Sequence, residues 1–338
     1  MSDIKQNRTL TPGVSIIICT YNGAQKLPKT IQALADQNVP DNIPWEIIFV
    51  DNNSSDNSQT VAKMNWNNLP QTAKIPFISL SETKIGKYHA FNTAILRASF
   101  SYFVIVDDDN ILRPDYIRQA FELIHHQPSI GAIGSKTEAV FEKHHPPIPK
   151  WFVNDAERYA IGEQGDEGDV TCRKHLWGAG MVSRTQLYRD FYEKYPSFLI
   201  THTTKNILVA EDTEYCLRLV LRGFKLYYSP KLVLQHFVPN ERLSIDYWEK
   251  LNYNIDNSFD VIDAYYMAAK VHSDKYKTSF EKLRLKMLTK LRVRIYSGIK
   301  KTRQKILLGL LFPTSSFNSP LTNDVNKFIS DPGLPKNE

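Results

Sequence analysis

The sequence predicts an α/β protein built on a mostly parallel sheet. Short unbroken runs of β-branched, aliphatic and aromatic residues alternate with segments of helical periodicity from Val14 to Val106. Each run breaks off in a cluster of polar residues. The order strand, helix, strand, helix, strand, helix, strand is that of parallel βαβ units with right-handed crossovers.

Val14 to Cys19 (VSIIIC) reads as a buried strand that ends in the turn-forming group Thr20-Tyr21-Asn22-Gly23. A helical pattern runs from Ala24 to about Gln37, with Leu27, Ile31 and Leu34 on one face. Trp45 to Val50 is the second strand and stops at Asp51-Asn52-Asn53-Ser54-Ser55-Asp56. Ile75 to Leu80 is the third; the loop Lys84-Ile85-Gly86-Lys87 and a helix from about Tyr88 to Ala98 follow it. Tyr102 to Val106 is the central strand: five apolar residues in a row suit a strand covered on both faces.

Three carboxylates, Asp107, Asp108 and Asp109, stand where that strand leaves the sheet, and Asn110 follows. Like charges so close repel, so the cluster needs water or a hard cation. Oxygen ligands off a strand end suit Mg²⁺ or Mn²⁺ with positions left for phosphate oxygens; the plainer alternative is a solvated acidic turn before the helix that Pro114 begins. In parallel sheets ligands bind beyond the carboxyl ends of the strands, and the polar groups gather at those ends: Thr20 and Asn22, Asp51 and Asn53, then Asp107 to Asn110. Asp51 there is placed to accept hydrogen bonds from a nucleoside, although Asp51 to Asn53 could be a simple turn. Lys87, just before a helix N-terminus, suits a diphosphate or is a solvated charge.

Composition bounds the rest. The chain has 338 residues, 42% hydrophobic and 12% aromatic, enough for a large core in one big domain with an appendage or in two domains. The polar N-terminus lacks the apolar stretch of a signal peptide, and no run of about 18 apolar residues occurs, so a soluble, cytoplasmic protein is expected. Cys19, Cys172 and Cys216 show no ligand spacing and read as reduced and structural. The net charge of +6 is local: residues 281 to 308 hold ten Lys or Arg against one Glu, a balance of +9, which leaves 6 − 9 = −3 for the remainder. The body is not basic, and nucleic acid is not an expected partner.

The ordered segments CTYNGAQKL, VDNNSSDNS, GKYHAFNTAILRA running into FVIVDDDN, WGAGMVSR, AEDTEYCLRLVLRGF and YSPKLVLQH resemble the inverting glycosyltransferases of family 2, over roughly residues 12 to 242. The resemblance implies the GT-A fold and transfer of a sugar, with inversion, from a nucleotide-diphospho-sugar donor, usually a UDP-sugar. Asp51 matches the family's nucleoside-binding Asp. Asp107 and Asp109 match the outer residues of its D-x-D motif, Asp109 as direct metal ligand and Asp107 more often towards ribose or uracil. Asp108 departs from the motif as a third acid that binds substrate or merely solvates. Thr20, Tyr21 and Asn22 would help to hold the nucleoside. Asp212 matches the family's general base, and Glu211 would position the acceptor or the base; acids at a helix start also serve the helix dipole alone. His236 stands where several members complete the metal site, and a lone His at a strand end is otherwise structural.

Ile130 to Ser135 is a further apolar segment, whereas Phe141 to Asp169 is irregular and suits acceptor binding or a lid. Trp177, before Gly178, offers either a face for a sugar or a core ring. Arg218 reads as structural. After Pro239 the composition turns to long charged helices: Tyr247 to Lys270, then a segment with Leu288, Leu291, Ile295 and Ile299 as an apolar stripe among basic residues. The second suits docking on an anionic inner-leaflet surface, or packing on the body with its charges in water. The division expected is 1–242 catalytic, 243–312 helical and possibly membrane-associating, and 313–338 a polar tail. The whole reads as a metal-dependent glycosyltransferase acting on a glycan or lipid-linked acceptor in surface polysaccharide synthesis. A sugar-phosphate nucleotidyltransferase would want a glycine-rich basic loop after the first strand, and an inactive nucleotide-sugar-binding scaffold would show a broken base or metal motif.

Overall fold

The computed structural model describes residues 9–201, 209–272 and 320–337. The first half alternates as expected: β1 (Thr11–Thr20), α1 (Leu27–Ala35), β2 (Trp45–Asp51), α2 (Ser58–Asn67), β3 (Phe77–Ser81), α3 (Lys87–Arg97) and β4 (Phe100–Asp107). Next come β5 (Asn110–Leu112), α4 (Tyr116–His125), β6 (Ile130–Phe141), α5 (Lys150–Asn154), β7 (Gly168–Asp169), β8 (Val182–Arg184) and α6 (Thr185–Lys194). The chain continues through α7 (Phe198–Thr201), α8 (Glu211–Leu221), β9 (Lys225–Val238) and α9 (Ile245–His272), and the last described helix is α10 (Pro320–Ser330).

One sheet runs in the order β3-β2-β1-β4-β8-β6-β9-β5, with β7 paired to β9. The β3, β2, β1 and β4 strands are mutually parallel; β8 then turns the sheet antiparallel, and β6 and β9 are parallel to each other. Apolar clusters cover both faces. Ile16 and Ile18 of β1 and Val104 of β4 pack towards α1 and α4, while Ile17 and Phe103 pack towards α3, α6 and α8. Alternate residues of a strand point to opposite faces, so a strand covered twice must be apolar throughout.

Parallel register brings the strand ends level: Thr20 pairs with Asp51, and Cys19 with Asp107. On the other half, Asn110 of β5 stands opposite His236 of β9. The polar groups singled out in the sequence therefore share one edge of the sheet. β6 and β9 extend well beyond the apolar segments that marked them, because their outer halves alternate with partly exposed residues. The irregular stretch after Phe141 folds into α5, a short 3₁₀ turn at Ala156–Tyr159 and β7; Phe152 and Tyr159 there pack with Tyr247 and Trp248 of α9.

Residues 320–337, within the stretch expected as a polar tail, include a docked helix: α10 packs on the body with Val325 and Phe328 fully buried, and the Arg222 guanidinium donates to the carbonyl oxygens of Phe328, Ile329, Leu334 and Pro335. Arg218 is structural as expected, fully buried against Glu214 at 3.1 Å with Tyr265 donating to the same carboxylate. The basic segment 281–308 lies outside the described residues.

Candidate active site

The loops after β1 and β2 are stitched to each other. The Asn22 N–H donates to Ser54 Oγ at 3.0 Å, Asn22 Oδ1 accepts from the Ser55 N–H at 2.8 Å, and Asp56 Oδ2 accepts from the Ala24 N–H at 3.1 Å. Asn22 and Asn53 adopt the left-handed backbone region, with φ of 54° and 60°, which asparagine tolerates better than most residues. Gly23 allows the turn to close: a Cβ there would lie 2.2 Å from both Asp108 Oδ2 and Thr20 Oγ1. Tyr21 stands out into solvent, 56% exposed. Asp51 Oδ2 accepts from the Ser54 N–H at 3.2 Å, while Asp51 Oδ1 is buried and has no donor. An unpaired buried carboxylate oxygen is costly, and a ligand N–H would satisfy it.

The three consecutive aspartates have three separate environments. Asp107 is half-buried, and Lys87 Nζ donates to its Oδ1 at 2.5 Å. Burial would lower the Lys87 ammonium, but Asp107 outweighs it and holds the lysine charged well above its usual range. Asp108 turns to the other side: Lys26 Nζ and Thr20 Oγ1 each donate to its carboxylate at 2.5 Å, and its carbonyl accepts from Thr30. It locks the Thr20–Gly23 turn and does not line the cavity described below, so its expected contact with the donor is not part of this geometry. Thr20 likewise spends its hydroxyl on that lock.

Asp109 is 4% exposed. Arg242 NH2 donates to its Oδ2 at 3.1 Å, Asn110 Nδ2 donates to its Oδ1 at 3.2 Å, and His236 Nε2 lies 3.5 Å away. Burial alone would raise this carboxyl; His236, then Arg242 and Lys26, hold it well below the usual carboxylate range. The Arg242 guanidinium also donates to His236 Nε2 at 2.8 Å, and His236 Nδ1 is buried without a partner.

Opposite stands the start of α8. Ala210 precedes it with φ 76°, a left-handed conformation rare for a residue with a Cβ. Asp212 Oδ2 accepts from the Gly178 N–H at 2.8 Å and its Oδ1 from the Thr213 N–H at 2.7 Å. The carboxylate is thus fixed at the positive end of a helix. Burial pushes the Glu211 carboxyl up to about 7, against the pull of Lys87. A cavity of about 300 Å³ is lined by Asp107, Lys87, Glu211, Asp212, His236 and Arg242, with Phe103 and Tyr215 among its apolar lining.

Of the two readings of Trp177, its burial accords with the core ring. Its ring is 6% exposed and lies under the Arg173 guanidinium at 5.6 Å; Gly178, not Trp177, forms the cavity wall. Sequence reasoning missed Arg242 and Lys26. Arg242 sits in a short 3₁₀ turn, Asn240–Leu243, six residues past His236, and a lone arginine there carries no pattern.

A parallel half-sheet ending on acids, joined to a second half with antiparallel pairings that brings a histidine and a helix-borne carboxylate towards them, is the arrangement of the GT-A fold. Residues 15–174, a little under half of the chain, match the model described as glycosyl transferase family 2. An uncharacterized glycosyltransferase of Haemophilus influenzae is 27% identical over 207 residues, 55% of this chain and 57% of that protein. A Methanococcus voltae dolichyl N-acetyl-alpha-D-glucosaminyl phosphate 3-beta-D-2,3-diacetamido-2,3-dideoxy-beta-D-glucuronosyltransferase is 23% identical, with 66% of each chain covered. The chain thus spans little more than half to two thirds of these relatives. Among solved structures, the mannosyltransferase PcManGT of Pyrobaculum calidifontis in complex with GDP-Man and Mn²⁺ superposes with a TM-score of 0.51 at 20% identity, over 80% of this chain and 69% of that one. TarS of S. aureus in complex with UDP-GlcNAc gives 0.52 at 17%, over 96% and 82%. At such identities the likeness speaks for the fold alone.

Proposed function

We propose that this chain is a metal-dependent, inverting glycosyltransferase. It moves a sugar from a nucleotide-diphospho-sugar, a UDP-sugar first among the candidates, to a hydroxyl of a glycan or lipid-linked acceptor in surface polysaccharide synthesis. The observation that carries this reading is the single cavity with Asp107 on one wall and the fixed carboxylate of Asp212 on the other. Solved neighbours that hold GDP-Man with Mn²⁺, or UDP-GlcNAc, support the donor class.

The geometry supports the following roles. Asp51 Oδ1, buried and unpaired, accepts an N–H of the nucleobase. Tyr21, Asn22 and Asn53 frame the nucleoside, and Lys87 faces the diphosphate. No group of three His, Cys, Asp or Glu is gathered among the described residues as a metal site, but Asp109 and His236 offer an oxygen and a nitrogen ligand 3.5 Å apart that suit a divalent cation, and a cationic guanidinium already binds to both. Asp109, with Asp107 and His236, would hold Mn²⁺ or Mg²⁺, which when bound offsets negative charge on the leaving diphosphate. Asp212 takes the proton of the acceptor hydroxyl as that oxygen bonds to C1 and the bond from C1 to the diphosphate oxygen breaks on the opposite face. Attack opposite the leaving group inverts the anomeric centre. Glu211 positions the acceptor or Asp212.

The same proposal places the enzyme in the cytoplasm and peripheral to the inner leaflet, with the basic segment 281–308 as its contact. Among the described residues no helix is long and apolar enough to cross a membrane. The test is a panel of UDP- and GDP-sugars, each with Mn²⁺ and with EDTA, read as thermal shift and as nucleotide release, with the product's anomeric configuration determined by NMR. Binding and release that require the metal, with an inverted product, are expected. Retention of configuration, or full activity in EDTA, would overturn the mechanism.

A further inference from the structure

The two outer acids of the strand end each hold a cation. Asp107 binds Lys87, and Asp109 binds Arg242, whose guanidinium also reaches His236. These four charges sum to zero. Addition of a divalent cation and a doubly charged diphosphate ester leaves the sum at zero, provided that the acids turn to the metal and the two basic side chains turn to the phosphates. Lys26 is held by Asp108 at 2.5 Å and also lies 3.8 Å from Asp109 Oδ2; with Asp108 it makes a neutral pair of its own that leaves this sum unchanged.

Arg242 has the position and freedom that the exchange needs. Its side chain is 22% exposed against 3% for Asp109, it lines the same cavity as Asp107 and Asp212, and in its present place the guanidinium also lies 5.8 Å from the Tyr247 ring centroid. A planar fork that now spans Asp109 Oδ2 and His236 Nε2 is the geometry that also spans two phosphate oxygens. Such a guanidinium and a metal ion cannot both occupy the space between Asp109 and His236.

We infer that Arg242 is a donor-binding residue that works by exchange: it fills the gap between Asp109 and His236 in the free protein and moves onto the donor's diphosphate when a divalent cation takes that gap. The inference rests on the donor-site reading above, and it adds a second cation to the diphosphate subsite and a built-in competitor to the metal subsite. One consequence is that metal binds weakly before the nucleotide and tightly with it.

The test separates metal from nucleotide. Mn²⁺ binding to the whole protein is followed by loss of the free-ion EPR signal without nucleotide, and UDP and GDP binding in saturating Mn²⁺ by calorimetry. Arg242→Ala is expected to bind Mn²⁺ alone on the order of tenfold more tightly than the parent and to bind nucleotide on the order of tenfold more weakly. Arg242→Lys keeps the charge without the fork and should fall between the two, and Asp109→Ala should bind no Mn²⁺; thermal melts verify that each variant is folded. Unchanged or weaker Mn²⁺ binding by Arg242→Ala, or no binding by either protein, overturns the exchange. Unchanged nucleotide affinity overturns the diphosphate contact. A parent that binds Mn²⁺ but neither nucleotide sinks the donor-site reading instead, and the metal arm still decides whether Arg242 competes.

Discussion

Asp212 and Glu211 are adjacent carboxylates with different surroundings, and the roles proposed for them rest on that difference. Asp212 accepts two backbone N–H bonds, which fix its carboxyl group at the start of α8. Asp212→Asn keeps the shape but cannot take a proton; turnover should fall on the order of 10²-fold or more with donor affinity nearly unchanged. Glu211→Gln should cost less, and if the order of the two is reversed in steady-state kinetics, Glu211 is the base. Glu211 also makes a stability prediction. Its carboxyl is raised by burial from 4.5 to about 7, so the folded state binds that proton more tightly than the unfolded one. The associated stability is whole below about 4.5 and is lost as pH rises through about 7. Glu211→Gln should therefore melt above the parent at pH values past 7 and lose that advantage towards 4.5; equal gaps at both ends would refute the raised value. The acids were legible in the sequence because they cluster at strand and helix ends, where few structural duties compete. Arg242 was not, since its meaning comes from Asp109, 133 residues earlier in the chain.

At the scale of elements, legibility tracked burial. β1, β2 and β4 are covered on both faces and wrote unbroken apolar runs; β6 and β9 leave part of their length half-exposed, so only their inner halves were read. α10 escaped because its inward face rests on few residues, Thr322, Val325 and Phe328, in a polar stretch. Its docking is fixed as much by polar bonds as by area, for Arg222 satisfies four carbonyl oxygens of the C-terminal segment. Charge-assisted bonds to groups that would otherwise be buried unpaired are costly to lose. Arg222→Ala should lower unfolding free energy by about 3 kcal/mol in urea titrations. It should also make the segment after Pro320 sensitive to protease while nucleotide binding survives. A loss under about 0.5 kcal/mol would mean that the clamp contributes little and that Phe328 alone seats the helix.

Charge is divided unevenly over the whole molecule, and the division bears on where it works. Residues 281–308 carry +9 and the remainder −3, so one stretch, and not the catalytic body, would feel an anionic surface. The described elements on either side of it, α9 and α10, pack on each other through Val261, Ala264, Tyr265 and Val325, and α9 also supplies Tyr247 and Leu251 to the cavity. In sequence the basic stretch thus lies between two helices that pack on each other, one of which contributes to the candidate active site, and the proposed membrane contact would bring a lipid-linked acceptor to the same molecule. Each Lys or Arg near such a surface contributes about 1 kcal/mol, so reversing Lys290, Arg292 and Arg294 to Glu should remove several kcal/mol of attraction. The triple variant should stay in the supernatant with phosphatidylserine-rich liposomes that sediment the parent, while transfer to a soluble acceptor continues at the parental rate. The parent should itself be released by raised salt, because exposed charges are screened within about 10 Å at 0.1 M. If the variant sediments like the parent, the basic residues do not face lipid. If it loses transfer to the soluble acceptor as well, they support the body itself and the membrane reading fails.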